Sequence, residues 1–133
     1  MNNWNKLASE ESINKAVDAL KENGIDSFVV QNSSEARAKV VELLPKGAEF
    51  MTMSSVTLDT IGITQEINES GNYDSVKAKL SKMDRNTQGR EMQRIGAAAE
   101  WVIGSVNDVT EDGKLLIASN TGSQLGAYSY SAA

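Results

Sequence analysis

Two apolar runs set either side of a glycine turn, the second opening into small polar residues, constrain this chain most. Trp101-Val102-Ile103 and Leu115-Leu116-Ile117-Ala118 flank the turn Thr110-Glu111-Asp112-Gly113. Asp-Gly between apolar runs is a strong turn signal, because Gly takes positive φ without steric cost. The second run then breaks into Ser119-Asn120-Thr121-Gly122-Ser123, where no side chain is large enough to fill a core. A buried strand that opens into a Ser/Thr/Asn/Gly loop is how α/β proteins build ligand sites at strand ends. The pattern predicts a site before it predicts a reaction.

Composition narrows the chemistry of that site. The 133 residues suit one domain, 1–133, with a real core, and 40% hydrophobic with 23% charged residues are ordinary globular values. The net charge of −5 argues against a nucleic-acid groove, which needs clustered Lys and Arg to neutralise phosphates. The thirteen basic residues are scattered, and the densest basic stretch, Lys77 to Arg94, also carries Asp84 and Glu91. There is no Cys and no His, so disulfides, thiolate metal sites, iron–sulfur ligation and the commonest general base are all excluded. No transition metal and no cofactor are expected, since only hard oxygen ligands remain. Chemistry must use carboxylates, Lys, Tyr, hydroxyls or backbone dipoles. No apolar run approaches the roughly 20 residues of a membrane span and the N-terminus is polar, so a cytoplasmic protein without a membrane partner is expected.

Helix and strand signals alternate along the chain. Ser9 caps a helix through Lys21 whose apolar stripe is Ile13, Ala16, Val17 and Leu20, and Asn23-Gly24 ends it. Ile25 to Gln31 reads as a short strand, its Phe28-Val29-Val30 run suggesting burial on both faces. Ser33 or Ser34 caps a second helix with Ala36, Val40, Leu43 and Leu44 on one side, stopped by Pro45. Ala48 to Met53 is a strand, followed by a small-polar stretch to Gly62 and a helix from Thr64 to Glu69. Asn72 to Asn86 is ambiguous, with a helix through Val76, Leu80 and Met83 as one reading. Thr87 to Ala99 is helical and leads into the strand at Trp101. Strands separated by helices predict βαβ units and a largely parallel sheet, to which the turn at Glu111 adds an antiparallel hairpin. Trp4, Trp101 and the methionines read as packing residues.

In that order, three segments resemble the LUD domain of the lactate-utilization protein C type. They are MTMSSVTLDTIGI (Met51 to Ile63), MDRNTQGREMQRIGAAAEWVIGSV (Met83 to Val106) and VTEDGKLLIASNTGSQL (Val109 to Leu125). The resemblance runs from Ile13 to the last residue. It implies the NagB/RpiA/CoA-transferase-like fold, a three-layer α/β/α sandwich around a mixed, mainly parallel sheet. It also implies bacterial operons that oxidise L-lactate to pyruvate, where related subunits carry iron–sulfur clusters through Cys motifs. A chain without Cys then corresponds to a cluster-free accessory component, binding a small anionic ligand and partner subunits, iron–sulfur oxidoreductase subunits among them. The alternative is a self-contained CoA-transferase-like or sugar-phosphate-isomerase-like enzyme. Members of the family continue past the SQL loop into another strand and a C-terminal helix, whereas this sequence stops after Tyr128-Ser129-Tyr130-Ser131-Ala132-Ala133. An uncovered sheet edge, and with it a homo-oligomer, is the corresponding expectation.

Three constellations are candidates for function. Ser54, Ser55 and Thr57, after a strand and before a helix, offer hydroxyls and backbone N–H groups to an anion, although Ser55 or Thr57 capping the next helix explains them equally well. Asn120, Thr121, Gly122, Ser123 and Gln124 suit a small polar ligand, Gly122 allowing close backbone approach; a turn or a capped helix is the competing account. Glu111 is the one catalytic candidate, because CoA transferases of the resembled superfamily use a Glu nucleophile. Asp112-Gly113 beside it reads more simply as the centre of a hairpin turn. The two Ser/Thr loops are expected to converge on one cleft at the carboxyl ends of parallel strands. No GxxxxGK[ST] phosphate signature is present.

Overall fold

The computed structural model of the chain describes residues 6–131; Trp4 lies outside them. The chain forms two compact units, one from residues up to Val29 together with Val106–Ala118, the other from Val30–Ser105 together with the residues from Ser119 onward.

In the first unit, helix α1 (Glu10–Glu22) begins where the Ser9 hydroxyl accepts a 3.1 Å hydrogen bond from the Ser12 N–H. Glu10 and Glu11 in its first turn complement the positive end of the helix dipole. Leu20, the last residue of the apolar stripe, is the one it buries, and Gly24 at φ 78° terminates it. Residues 25–31 are irregular and not the strand that Phe28-Val29-Val30 suggests. β-propensity reflects packing on a half-buried pleated surface, and here Phe28 and Val29 remain more than half exposed. Further along, the expected hairpin pairs two short strands antiparallel (Asp108–Val109 and Leu115–Leu116), with Val109 opposite Leu115. Its turn closes through Gly113 N–H to Thr110 C=O at 3.0 Å and Thr110 N–H to Lys114 C=O at 3.0 Å. Gly113 is required twice over: its φ is +77°, and a Cβ there would lie 2.8 Å from the backbone of Ala19. The buried strand expected at Leu115-Leu116-Ile117-Ala118 thus shrinks to two paired residues in a separate ribbon and does not join the main sheet. Pairing stops where the Asn107 side chain takes the Ala118 N–H at 2.7 Å.

The second unit holds a three-stranded sheet that is wholly parallel rather than mixed. Its central strand, β1 (Glu49–Thr52), lies between β2 (Asp74–Ser75) and β3 (Trp101–Ile103). Side chains alternate across a strand, and the two faces of β1 therefore have different fates. Phe50 and Thr52 point to a buried face; Phe50 joins Leu58, Ile63, Ile67 and Tyr73 in the core, with Val40, Leu44 and Ile103 packed around them. Phe50 meets Tyr73 edge-on, centroids 5.5 Å apart, and Trp101 at 6.0 Å. Helices α2 (Ser33–Leu43), α3 (Val56–Thr60) and α4 (Ile63–Glu69) supply this layer. On the same face Asn68 of α4 is held by Thr52 Oγ1 at 3.2 Å and by Ser75 Oγ at 2.6 Å, so no hydroxyl of the buried strand ends is left unpaired there. The cap of α2 is Asn32, not Ser33 or Ser34. Asn32 takes the Glu35 N–H while Glu35 reaches back to the Gln31 N–H at 2.9 Å, a reciprocal pair that satisfies one orphan donor of the first turn and the N–H of the residue before the cap.

The other face of β1 presents Glu49 and Met51 to helix α5 (Val76–Leu80), against which α6 (Arg85–Ala97) packs. Lys79 of α5 bridges Glu49 at 2.9 Å and Asp74 at 2.6 Å, tying the helix across two strands. Helices thus cover both faces of a parallel sheet, an α/β fold.

Candidate functional site

The face of β1 opposite the core carries a pocket of about 850 Å³. Its floor is Met51 and Met53, with Leu80 from α5. One wall is α6, contributing Arg85, Gly89, Met92, Gln93 and Gly96, an i, i+4, i+7, i+8, i+11 stripe that faces one way on a helix, with Arg90 beside it. The far side is Thr121, Gly122 and Ser123.

The pocket exists because of what α6 lacks. None of its thirteen residues is buried. At Gly89 a Cβ would meet no atom within 4 Å, so its missing side chain leaves open volume. At Gly96 it would sit 3.6 Å from Leu80 Cδ1, so the helix backbone comes close to α5 there. Gly122 turns the opposite loop at φ +73°, and Thr121 Oγ1 and Ser123 Oγ lie 2.9 Å apart.

Its charge is the reverse of the chain's. Eighteen Asp and Glu residues give the protein a net charge of −5, yet no carboxylate lines the pocket while two arginines do. Arg94 on the same helix is paired with Glu91 at 3.4 Å; Arg85 and Arg90 make no ion pair among the described residues. Both are exposed, which places their guanidinium groups at the mouth and the buried Met53 at the base.

Of the residues singled out in the sequence, Thr121, Gly122 and Ser123 line this pocket; Asn120 and Gln124 do not. Neither do Ser54, Ser55 and Thr57, so the two loops do not share it. Ser55 is buried and its hydroxyl is spent on capping α3, accepting from Leu58 N–H at 3.2 Å. Ser54 and Thr57 are exposed. Glu111 belongs to the first unit, its side chain 56% exposed and 3.9 Å from Lys15. It has no desolvated setting of the kind a carboxylate nucleophile needs. Its neighbour Asp112 is held below the usual carboxylate range, first by a hydrogen bond from Lys114 and then by one from Thr110, which fixes the turn. The methionines expected only to pack also form the pocket floor. Arg85, Arg90 and Gln93 are absent from the sequence candidates. The signal for them is the pair of glycines seven apart inside a helix, since each costs about 1 kcal/mol relative to Ala and so marks a packing or functional reason.

Among the described residues no group of three or more His, Cys, Asp or Glu could hold a metal ion. Among the described residues no helix is long and apolar enough to cross a membrane.

Fold and pocket together define an α/β protein with an arginine-flanked cavity on one face of a parallel sheet. The chain belongs to the LUD-domain family, whose model matches residues 13–132, nearly its whole length. LUD domains are associated with lactate-utilization proteins. No curated protein and no solved structure matches the chain.

Proposed function

We propose that this LUD-domain chain is a cluster-free accessory component of L-lactate utilization that binds an organic anion in the Met51–Arg85–Ser123 pocket and works beside partner subunits that carry the redox centres. The observation that carries the reading is the pair of arginines without ionic partners at the mouth of a cavity free of carboxylates, in an otherwise acidic protein. Guanidinium groups match carboxylates in geometry and stay charged at every physiological pH. Gln93, Thr121 and Ser123 supply hydrogen-bonding groups for a hydroxyl or carbonyl beside the anion, and the methionine floor excludes water from its apolar part. These groups bind and orient a ligand, and no nucleophile–base pair lines the pocket. Electron transfer therefore falls to a partner, and the absence of Cys and His supports that division of labour. The exposed apolar side chains of the first unit, Phe28, Val29, Leu115 and Leu116, support a role beside other subunits.

Titration calorimetry with 2-oxo and 2-hydroxy acids tests the binding. One-site binding is expected, weakened in the Arg85→Ala, Arg90→Ala double variant by about tenfold or more, since a hydrogen bond to a charged group contributes about 1.5–3 kcal/mol. Absence of binding by every such acid at millimolar concentration would refute the proposal.

A further inference from the structure

The shape of the pocket says more about the ligand than its charge does. We infer that the anion it holds is a carboxylate carrying a planar, aromatic body, and not a three-carbon acid; the inference rests on the anion-binding reading above. About 850 Å³ lies near the upper end of the roughly 300–1,000 Å³ that encloses drug-sized ligands. A three-carbon acid seated on the arginines would leave most of that volume to water, in contact with Met51, Met53, Leu80 and Met92.

The lining has a direction. Arg85 and Arg90 are exposed at the mouth, whereas Met53 at the base is 5% exposed. An amphipathic anion satisfies both ends, its carboxylate outward and its apolar body inward. Three of the chain's five methionines form the apolar part. Thioethers are polarizable, adapt their rotamers to irregular shapes and make favourable contacts with aromatic rings. The opposing wall has a gap at Gly89, where a Cβ would meet no atom within 4 Å; at Gly96 the Leu80 side chain lies against the helix, and Met92 lines the pocket from the same helix between them. A ring lying in the gap at Gly89, between Met92 and the methionine floor, uses every one of these features. A saturated body of the same size would fill the gap but forgo the sulfur–ring contacts.

The test compares pyruvate, phenylpyruvate and the saturated cyclohexyl analogue of phenylpyruvate by calorimetry, on the full chain and on Gly89→Leu. The glycine lies mid-helix with room for a side chain, and leucine is the better helix former, so the variant is expected to fold with its side chain in the pocket; its melting temperature verifies the folding. Phenylpyruvate is expected to bind at least about tenfold more tightly than either other acid, a separation that calorimetry resolves readily. Gly89→Leu is expected to abolish that advantage. Equal binding of phenylpyruvate and pyruvate, equal binding of the ring and its saturated analogue, or indifference to Gly89→Leu would each overturn the aromatic inference and leave the anion pocket standing. Failure of all three acids to bind would overturn the anion pocket itself.

Discussion

Gly104, directly after β3, has the phenol of Tyr128 laid against its α-carbon. A Cβ at Gly104 would overlap the Tyr128 hydroxyl and come 2.9 Å from Met53 Cβ. Tyr128 lies in the C-terminal helical turn Ala127–Ser131, so this one contact pins the end of the chain to the carboxyl end of the sheet within the second unit. The Tyr128 hydroxyl is enclosed without a hydrogen-bond partner among the described residues, and burial pushes its pKa above the usual 10.0. Two substitutions separate steric fit from polarity. Gly104→Ala is expected to cost about 1–3 kcal/mol, the usual penalty for forcing an extra carbon into a packed site. Tyr128→Phe removes a desolvated, unpaired group while keeping the ring, and is expected to be neutral or stabilising by up to about 1 kcal/mol. Urea denaturation of both variants measures the pair. A Tyr128→Phe variant destabilised by as much as Gly104→Ala would show that the hydroxyl is bonded after all.

At the scale of elements, each face of the sheet is fastened by one polar cluster, Asn68 on the core face and Lys79 on the pocket face. Asn68 is the more consequential, because Thr52 is 1% exposed and cannot turn to water instead. Asn68→Ala is expected to cost about 1–3 kcal/mol for the hydroxyls it strands. The Lys79 triad is partly exposed and is worth no more than about 1 kcal/mol. Its pH signature is specific. Hydrogen bonds to Asp74 and then Glu49 raise the Lys79 pKa above 10.5, so the folded state holds that proton more tightly than the unfolded chain does. The contribution is therefore complete below pH 10.5 and is lost as pH rises through the folded value. The stability gap between the wild-type chain and Lys79→Met is expected to stay level through neutral pH and close only in strong alkali; a gap that closes between neutrality and pH 9 would refute it. The same scale shows what a sequence can disclose. Ser9, Asn23-Gly24, Pro45 and the Asp112-Gly113 turn were legible because caps and turns are decided by a few adjacent residues. Residues 25–31 misled because a strand needs a neighbour, and apolar content alone does not supply one. Thr121-Gly122-Ser123 was legible as a loop with spare hydrogen bonds, but the pocket opposite it is made by side chains that α6 lacks. Its arginines resemble any solvated helix face until Met51 and Met53 lie across from them.

The whole molecule is acidic, with a net charge of −5, and among the described residues the first unit, the smaller of the two, carries half of the exposed large apolar side chains. There Ile25, Phe28, Val29, Val109, Leu115 and Leu116 are all more than a third exposed, Phe28 and Val29 more than half. Short strands such as those of the ribbon bury nothing by themselves and are marginal in water without a covering layer. On the partner reading proposed above, this surface is covered in the working assembly, and a second copy of the chain is the partner at hand in a purified sample. Two opposing terms then act on association. Apolar burial drives it at roughly 25 cal/mol per Å², while two bodies of equal negative charge repel each other over about a Debye length, near 10 Å at 0.1 M salt. Added salt shortens that range and leaves the apolar term in place, so self-association should strengthen as ionic strength rises, opposite to a contact held by ion pairs. Sedimentation equilibrium at high micromolar concentration is expected to give a mass above the monomer's, increasing from low to moderate salt. Val29→Lys or Leu116→Lys, which put a cation on the apolar surface without touching a buried residue, should return the monomer. A strictly monomeric chain at every salt concentration would refute self-association through this surface, and association weakened by salt would show that charge, not apolar burial, holds the copies together.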